Sequence, residues 1–368
     1  MNKNIAYFFP INSRYKRLNS EEYFPNEFFY SYFSLKKKNY KIDIFDSRIN
    51  PINFRLKILS IIEKIRNRII NLSYSKSIIL NYKKKIQNID IIFSFHDSFS
   101  YSIAKYKKHI NNTNLKLCCG FMGLSDMENR ANKIFKKKIK NNIIDLINNI
   151  DHVFFFSSED RNRSCKKYLI DINKTSIIPF GIDTNFWIPD VNNKENYLLS
   201  VGSDFNRDYN TLINAIPLNY KCIIISKIKI QIKNNYNIEI LKGSYGDSLL
   251  DDKDIKKFYQ KCKYLIITTH NVFQPSGQSV ILQAMSCGAI VIFTKTKSKW
   301  YLPYLKHKKN CIIVDCYQSQ QIKNYISYLD QNSSLRKKIS INAINTIKQN
   351  YKSSNMDQYI ENLISMNE

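Results

Sequence analysis

Residues 274–292 of the chain read QPSGQSVILQAMSCGAIVI, and this stretch decides the fold class. It opens with a turn, because Pro275 and Gly277 are turn formers. The apolar run that follows predicts a helix over residues 280–287, which Gly288 ends, and a β-branched strand comes directly after. A turn, a helix and a strand joined this tightly are typical of parallel α/β proteins.

Short β-branched or aromatic segments alternate with segments of helical period along the rest of the chain. The predicted strands are 5–9, 42–45, 91–94, 115–119, 152–157 and 176–179, then 197–202, 222–226, 238–241, 264–268, 289–293 and 311–314. This α/β pattern predicts two doubly wound, Rossmann-like domains. Their bounds are predicted at 1–185 and 186–368, because a polar run after Pro189 interrupts the pattern; the last helix is a candidate to pack back on the N-terminal domain. Since ligands bind beyond the carboxyl ends of such strands, the domains are expected to face each other across a cleft.

The sequence shows no feature that marks the chain for export or for membrane insertion. Its apolar runs are much shorter than the about 20 residues that a spanning helix needs, and Met1–Pro10 lacks the features of a signal peptide. The expected location is the cytoplasm. The eight cysteines show no paired spacing, so they are interpreted as small buried residues, with neither a zinc site nor disulfides.

The formal net charge of +27 has two competing explanations. A basic surface attracts anionic partners, which include phosphate-bearing small molecules, RNA and acidic lipid headgroups. The second explanation is an AT-rich coding sequence, which would produce the joint excess of Lys, Ile, Asn, Tyr and Phe at surface positions that tolerate many residues. A basic RNA-binding protein therefore stays open as an interpretation, although no RNA-recognition signature accompanies the charge.

Two segments, 55–72 and 132–150, combine basic residues with an apolar stripe at helical spacing. The stripes are Ile58, Ile62, Ile65 and Ile69 in the first segment and Phe135, Ile139, Ile143 and Ile147 in the second. Such helices either lie on an anionic membrane surface or pack the stripe against a sheet. Packing against a sheet is the more common use, and peripheral contact with the inner face of the membrane is the alternative.

A polar stripe runs along the helix predicted in the deciding stretch. Ser276, Ser279, Gln283 and Ser286 share one face by their spacing of three and four residues. Because polar groups are costly to bury, this face is expected to meet solvent or a ligand. The free amides and the dipole at the start of the helix suit a diphosphate. A helix capped by Ser276, with a half-exposed structural role, is the alternative.

Three segments together resemble glycosyltransferase family 4, the glycosyl transferases group 1. They are IPFGIDTNFW at 178–187, SVGSDFNRDYNTL at 200–212 and the stretch 274–292, in the family's order. The resemblance implies a GT-B fold and transfer of a sugar from a nucleotide-sugar donor with retention of anomeric configuration. It implies no enzyme nucleophile. No cofactor or metal is expected, because no Asp-x-Asp pair stands at a strand end to hold a metal on a diphosphate.

The resemblance also assigns the donor site. The donor-binding residues implied are Ser203, Arg207, Ser276, Gly277, Gln278, Ser279, Gln283 and Lys295. Two departures stand out: Pro275 and Gln283 occupy the positions of the family's usual glutamate pair, and Ser203 stands where many relatives have arginine. Proline supplies no carboxylate for the donor sugar, whereas Gln283 can still hydrogen-bond a ribose hydroxyl.

Two side chains are candidates for catalysis, Arg207 and His96. Arg207 precedes the helix that Asp208 opens, where the resemblance places a cation against the donor diphosphate, and such a charge would stabilise the leaving group. An exposed arginine paired with Asp204 or Asp208 is the alternative. Lys295 and Lys297, which follow a later strand, either complete the phosphate pocket or are solvated.

His96 follows the strand predicted at 91–94 and is a candidate to orient an acceptor. A His-Asp pair with only a local structural role is the alternative. Relatives often place a histidine after the next strand, where this sequence has Cys118-Cys119-Gly120.

The leading hypothesis is thus a glycosyltransferase of polysaccharide, glycan or lipid-linked sugar synthesis, with no nucleic-acid partner. A catalytically inactive GT-B-like binding protein is the second.

Overall fold

The computed structural model describes residues 3–9, 18, 22–46, 51, 53–190, 193–232, 237–243 and 250–366. The chain divides into two compact units, of which the second begins its main segment at Pro179. The predicted boundary between residues 185 and 186 lies a few residues further along the chain, and the last helix is the candidate to pack back on the first domain. The described residues of 13–30 group with the second unit, and residues from Asp357 onward group with the first.

The first unit is a six-stranded sheet flanked by helices. Its elements are β1 (Asn4–Phe9), α1 (Tyr32–Lys37), β2 (Lys41–Asp46), α2 (Phe54–Ile70), α3 (Lys76–Ile86), β3 (Ile91–Ser94), α4 (Asp97–Tyr106), β4 (Lys116–Phe121), α5 (Met127–Arg130), α6 (Lys136–Ile147), β5 (His152–Phe155), α7 (Ser158–Tyr168) and β6 (Thr175–Ile177). All its strand pairs are parallel, in the order β2-β1-β3-β4-β5-β6. An aromatic stack holds one face, where Phe8 lies 4.0 Å from Phe99 and 4.8 Å from Phe45 between ring centroids.

The second unit repeats this architecture. Its elements are β7 (Tyr197–Val201), α8 (Tyr209–Ala215), β8 (Lys221–Ile225), β9 (Ile238–Leu241), α9 (Asp252–Lys261), β10 (Tyr264–Ile267), α10 (Gln278–Ser286), β11 (Ile290–Thr294), β12 (Ile312–Val314), α11 (Ser319–Gln331), α12 (Ser333–Asn350) and α13 (Ser353–Ser365), whose end groups with the first unit. The strands are again parallel, in the order β12-β11-β10-β7-β8-β9.

All twelve predicted strands are present. The central ones, such as β3, β7 and β10, are buried along their whole length, which explains why they are continuous apolar runs in the sequence. Six of the eight cysteines are buried, and all eight are free. The predicted α/β class with two doubly wound sheets is confirmed. No described helix has the length and apolar character needed to cross a bilayer.

Each sheet has one point where the strand order reverses direction. The reversal falls between β1 and β3 in the first sheet and between β7 and β10 in the second. Loops that leave neighbouring strands at such a point diverge to opposite faces of the sheet, and the crevice between them is where doubly wound folds bind ligands. The residues after β3, β7 and β10 are therefore the first places to look for a site.

Candidate functional site

The loops after β7 and β10 lie side by side at the reversal point of the second sheet. The amide of Asp208 donates to the carbonyl of Thr268 at 3.0 Å, and the amide of His270 donates to the carbonyl of Asn206 at 2.8 Å. Asp208 caps α8 by accepting from the Thr211 amide, as predicted. These bonds fix residue 207 between the two strand ends.

Arg207 is buried at this point, with 4% of its side chain exposed. Its Nε lies 2.8 Å from Oδ2 of Asp204. Its Nη1 is buried and has no hydrogen-bond partner among the described residues. A buried guanidinium nitrogen without an acceptor costs free energy, so native proteins rarely leave one unless another group completes the site. The group that would satisfy Arg207 is an anion.

Two glycines leave room for the guanidinium. A Cβ built on Gly202 would lie 2.2 Å from Arg207 Nε, and one on Gly277 would lie 3.0 Å from Nη1. Both glycines also have positive φ angles, +152° and +82°, which other residues rarely adopt. Arg207 therefore reaches from the end of β7 to the N-terminus of α10, where Gly277 is the N-cap residue.

The N-terminus of α10 has no side-chain cap. The alternative in which Ser276 caps the helix is wrong, because Ser276 Oγ donates to Oδ1 of Asp204 at 2.6 Å instead. Asp204 thus holds both Arg207 and Ser276. The helix begins at Gln278, earlier than predicted, and ends at Ser286; Gly288, two residues later, has a left-handed backbone. Its uncapped amides and positive dipole end lie next to a guanidinium, an arrangement that suits an anion.

The polar stripe of α10 does not face solvent along its whole length, so that expectation is wrong for its second half. Gln283 is fully buried, and its Nε2 donates to Oε1 of Glu27 at 2.8 Å. Ser286 Oγ donates to the carbonyl of Trp187 at 2.6 Å. Only Ser279, in the first turn, is partly exposed. Gln283 is therefore engaged inside the second unit, and the partly exposed end of the stripe is the first turn of the helix.

Glu27 is the centre of a buried polar cluster that the sequence did not reveal. Besides Gln283, its carboxylate accepts from Trp187 Nε1 at 2.9 Å and from the Asp183 amide at 3.3 Å. Burial raises the pKa of Glu27 to about 7, although these hydrogen bonds oppose the rise. Asp183 in turn accepts from the Tyr23 hydroxyl at 2.8 Å. The only signal in the sequence was one acidic residue among the aromatic residues 23–29.

Ser203 and Lys295 have partners of their own within the second unit. Ser203 Oγ accepts from the Lys227 amide at 2.9 Å and donates to the carbonyl of Gly243 at 3.3 Å, which ties the loop after β7 to those after β8 and β9. Lys295 pairs with Asp315 at 2.5 Å, and its side chain is 60% exposed. This is the solvated role that the sequence left open for it. Lys297 is also exposed.

His96 lies at the reversal point of the first sheet, between β3 and α4. Its Nδ1 is 2.8 Å from Ser98 Oγ. The alternative, a local pair with Asp97, is absent, because Asp97 pairs with Arg130 at 2.8 Å and accepts from the Met122 amide at 2.7 Å. His96 borders a cavity of about 360 Å³ whose other polar lining includes Asn67, Ser73, Ser75, Ser98 and Ser102.

The segment Cys118-Cys119-Gly120 lies inside β4, so it does not occupy the position after that strand. The loop that does follow is fixed by a buried acid. Asp160 accepts from the amides of Gly123, Leu124 and Ser125 at 2.9 to 3.2 Å, and burial raises its pKa to about 6. This aspartate shapes the backbone near His96.

A family match decides the class of protein. Residues 181–346 match the family described as Glycosyl transferases group 1. This part of the chain is a glycosyltransferase domain. No curated protein matches its sequence.

Solved structures show the fold. Sucrose-phosphate synthase from Thermosynechococcus elongatus has a TM-score of 0.71 and 11% identity, over 99% of this chain and 98% of that chain. HepE of Anabaena in complex with UDP-glucose has a TM-score of 0.66 and 12% identity, over 99% and 100%. A glycosyltransferase from Rickettsia africae has a TM-score of 0.60 and 16% identity, over 100% and 99%. At such identities the likeness is one of fold, and the fold is GT-B.

The family match covers the part of the glycosyltransferase that carries Arg207 and α10. It begins at Gly181, two residues beyond Pro179, where the main segment of the second unit begins. The described residues contain no group of three or more His, Cys, Asp or Glu side chains placed to hold a metal ion. The candidate site therefore consists of Arg207, its partner Asp204, Ser276 and the first turn of α10.

Proposed function

We propose that this glycosyltransferase binds the diphosphate of a nucleotide-sugar donor between Arg207 and the N-terminus of α10. The observation that carries the proposal is the buried Nη1 of Arg207, which has no hydrogen-bond partner among the described residues and lies beside Gly277. A diphosphate oxygen would supply the missing acceptor. The amides of the first helical turn would bind a second oxygen.

The same contacts give Arg207 its catalytic role. When the glycosidic bond to the donor breaks, negative charge develops on the departing nucleoside diphosphate, and a fixed cation and helix dipole stabilise that charge. Retention of configuration is part of the proposal and rests on resemblance alone. NMR analysis of the anomeric configuration of the first-formed product would test it.

Thermal stability in the presence of nucleotides tests the donor proposal. A ligand that binds only the folded protein stabilises it by about 2.7 kcal/mol at a concentration of 100 Kd. We expect a rise in Tm with one nucleoside diphosphate or its sugar, and none with inorganic phosphate at the same concentration. HepE of Anabaena was crystallised with UDP-glucose, so the uridine series is the first to try.

Hydrolysis of the stabilising nucleotide sugar then separates an enzyme from an inactive binding protein. Two observations support the inactive alternative: Pro275 lacks a carboxylate, and Gln283 is hydrogen-bonded to Glu27. We expect slow release of nucleoside diphosphate in the absence of acceptor. Binding without any release, with every acceptor tried, would favour the inactive protein.

Activity is predicted not to depend on a divalent cation. Arg207 and the dipole of α10 supply the positive charge that a metal would otherwise bring to the diphosphate. Dialysis against EDTA is expected to leave the rate of donor hydrolysis within about twofold, and added manganese is expected to leave it unchanged. A rate abolished by EDTA and restored by manganese would contradict this.

The acceptor is proposed to be a glycan or a lipid-linked sugar that binds in the cavity beside His96. Its hydroxyl and amide lining, from Asn67, Ser73 and Ser98 among others, matches the hydrogen-bonding needs of a sugar. We propose that the protein acts in the cytoplasm, in polysaccharide or glycan synthesis, with peripheral contact to an anionic membrane.

Replacing His96 with alanine is predicted to raise the acceptor KM about tenfold, the effect of losing one hydrogen bond to a charged or polar partner. Donor hydrolysis without acceptor is expected to stay at its wild-type rate, since the donor contacts lie in the second unit. His96→Gln, which keeps a hydrogen-bonding group, serves as the matched variant. Equal loss of hydrolysis and transfer in His96→Ala would contradict an acceptor role.

A further inference from the structure

Helix α2 turns its apolar face outward. Six apolar side chains of its 17 residues are between 45% and 75% exposed. They are Phe54, Ile58, Ile61, Ile62, Ile65 and Ile69. Glu63 is the one residue of this helix that is buried. The more common use, in which such a stripe packs against a sheet, is therefore wrong for this segment.

The exposed residues form one continuous stripe. At 100° per residue, all six lie within about 100° of arc, the width of face that an ordinary helix of a globular protein buries. Isolated exposed isoleucines are common, but a stripe of six marks an interaction surface.

Polar contacts on the opposite face fix this orientation. Glu63 accepts from the Lys76 amide at 2.6 Å and from the Ser75 and Ser77 hydroxyls at 2.7 Å, so it binds the N-terminus of α3. Asn67 Nδ2 donates to the carbonyl of Tyr74 at 3.0 Å. Rotating α2 to bury its isoleucines would break these bonds and expose the carboxylate-binding end of α3.

The charges beside the stripe all have one sign. Lys57, Lys64 and Arg68 lie along one edge, Arg55 lies along the other, and all four are exposed. The helix contains no acid apart from the buried Glu63. A helix with an exposed apolar stripe between basic edges matches a bilayer with anionic headgroups, because isoleucine enters the boundary of the acyl chains while lysine and arginine pair with the headgroups.

The basic and apolar surface continues past the C-terminal end of α2. The Asn132 amide donates to the carbonyl of Ile70 at 2.9 Å, so the segment that begins there lies next to the helix. Within it, Ile134 is 84% exposed between the exposed Lys133 and the lysines that begin α6. Helix α6 itself differs, because Ile139, Ile143 and Ile147 are buried as expected of core packing.

We infer that α2 is the surface by which the first unit docks in the plane of an anionic phospholipid bilayer. The inner face of the same helix lines the cavity beside His96, through Asn67 and Ser60. Docking therefore brings that cavity to the membrane surface, where a lipid-linked sugar would present its headgroup. This last step rests on the proposed acceptor role, whereas docking itself does not depend on the donor or acceptor proposal.

Sedimentation of the full-length protein with vesicles tests the inference. We expect binding to vesicles of phosphatidylglycerol and phosphatidylcholine and at least tenfold weaker binding to phosphatidylcholine alone. The double variant Ile61→Asp with Ile65→Asp is expected to lose at least tenfold in vesicle affinity. Lys57→Glu with Arg68→Glu is expected to weaken binding to the anionic vesicles only. Ile341→Asp, at an isoleucine of α12 that is 46% exposed, is the matched control and should bind as the wild type does.

Two further measurements separate a loss of membrane binding from misfolding and from a loss of donor binding. Circular dichroism checks that each variant is folded, and the Tm shift with nucleoside diphosphate reports the donor site independently of the vesicles. The inference would be overturned if the wild-type protein did not bind anionic vesicles. It would also be overturned if the Ile61→Asp, Ile65→Asp variant bound them with wild-type affinity. A change of the variant from dimer to monomer in light scattering would overturn it as well, since the stripe would then contact a second copy of this chain.

Discussion

Replacing Arg207 with alanine is expected to lower donor affinity or turnover by about ten- to a hundredfold. The guanidinium makes a charge-assisted contact to the diphosphate that is worth roughly 1.5 to 3 kcal/mol. Since Nη1 has no hydrogen-bond partner among the described residues, that nitrogen is available to the ligand, while Nε is held at ion-pair distance from Asp204. The substitution to alanine removes the contact to the diphosphate and the ion pair with Asp204 at once.

Arg207→Ala is also expected to destabilise the protein, in contrast to what a solvated loop arginine would do. Its side chain is 4% exposed, and it packs against Gly202 and Gly277. Loss of the pair leaves the Asp204 carboxylate with two donors, Ser276 Oγ and the Asn206 amide, and with solvent, since its side chain is 31% exposed. We expect a cost of about 1 to 2 kcal/mol, below that of a fully buried pair.

A second substitution separates the two effects. Asp204→Asn removes the charge that holds Arg207 but leaves the guanidinium, so it should share the loss of stability and keep most of the donor affinity. Titration calorimetry with the nucleoside diphosphate measures affinity directly, and circular dichroism confirms the fold. An Arg207→Ala protein that binds the nucleotide as tightly as wild type would exclude the diphosphate role, leaving Arg207 a purely structural residue.

The scaffold of this protein could be predicted from the sequence because buried parallel strands carry their own pattern. Segments such as Tyr264–Ile267 are short, apolar and β-branched, and the same composition places them at the centre of a sheet. The loops that carry the site come directly after strands, so the positions of Arg207 and His96 at strand ends could also be predicted from the sequence. The distances between these loops could not be predicted, because they are set by hydrogen bonds between residues far apart in the sequence. The bond from the Asp208 amide to the Thr268 carbonyl, for example, joins residues 60 positions apart.

Helices α2 and α6 show where a sequence pattern stops being informative. Both have isoleucines at helical spacing among lysines, and the pattern alone favours burial for both. Which face is buried depends on partners elsewhere in the chain: α6 meets the core through Ile143, whereas α2 is held by Glu63 and Asn67 through polar bonds. The position of Gln283 has the same cause, because its partner Glu27 is 256 residues away.

Glu27 is expected to be the most important single residue for the stability of the second unit. Glu27→Ala would leave Trp187 Nε1 and Gln283 Nε2 without their acceptor in a buried site. Each buried donor left without its acceptor costs about 1 to 3 kcal/mol, so for the two donors a total loss of roughly 2 to 6 kcal/mol in the free energy of unfolding is expected. Denaturant unfolding followed by tryptophan fluorescence measures it.

The raised pKa of Glu27 also predicts how stability depends on pH. Between pH 4.5, the ordinary pKa of a glutamate side chain, and a pH of about 7, the folded protein holds a proton that the unfolded chain has released. The folded state then binds more protons, so this group's contribution to stability falls as pH rises through that range, by on the order of 3 kcal/mol in total. Asp252 adds to the rise in pKa through its charge. The raised pKa of Asp160, in the first unit, changes stability in the same direction. The pH dependence of stability in the wild type alone therefore does not separate the contribution of Glu27 from that of Asp160.

The variant Glu27→Gln separates the contribution of Glu27 to the pH dependence, because the amide cannot titrate and has nearly the shape of the protonated acid. Its carbonyl can still accept from Trp187 Nε1 and Gln283 Nε2, which are 2.9 and 2.8 Å from Glu27 Oε1. We expect the Tm of wild type to fall more steeply than that of the variant as the pH is raised from 5 to 7.5, with the two curves closest in acid. Parallel curves across this range would show that Glu27 is ionised in the folded protein throughout, and that its three hydrogen bonds outweigh the cost of its burial.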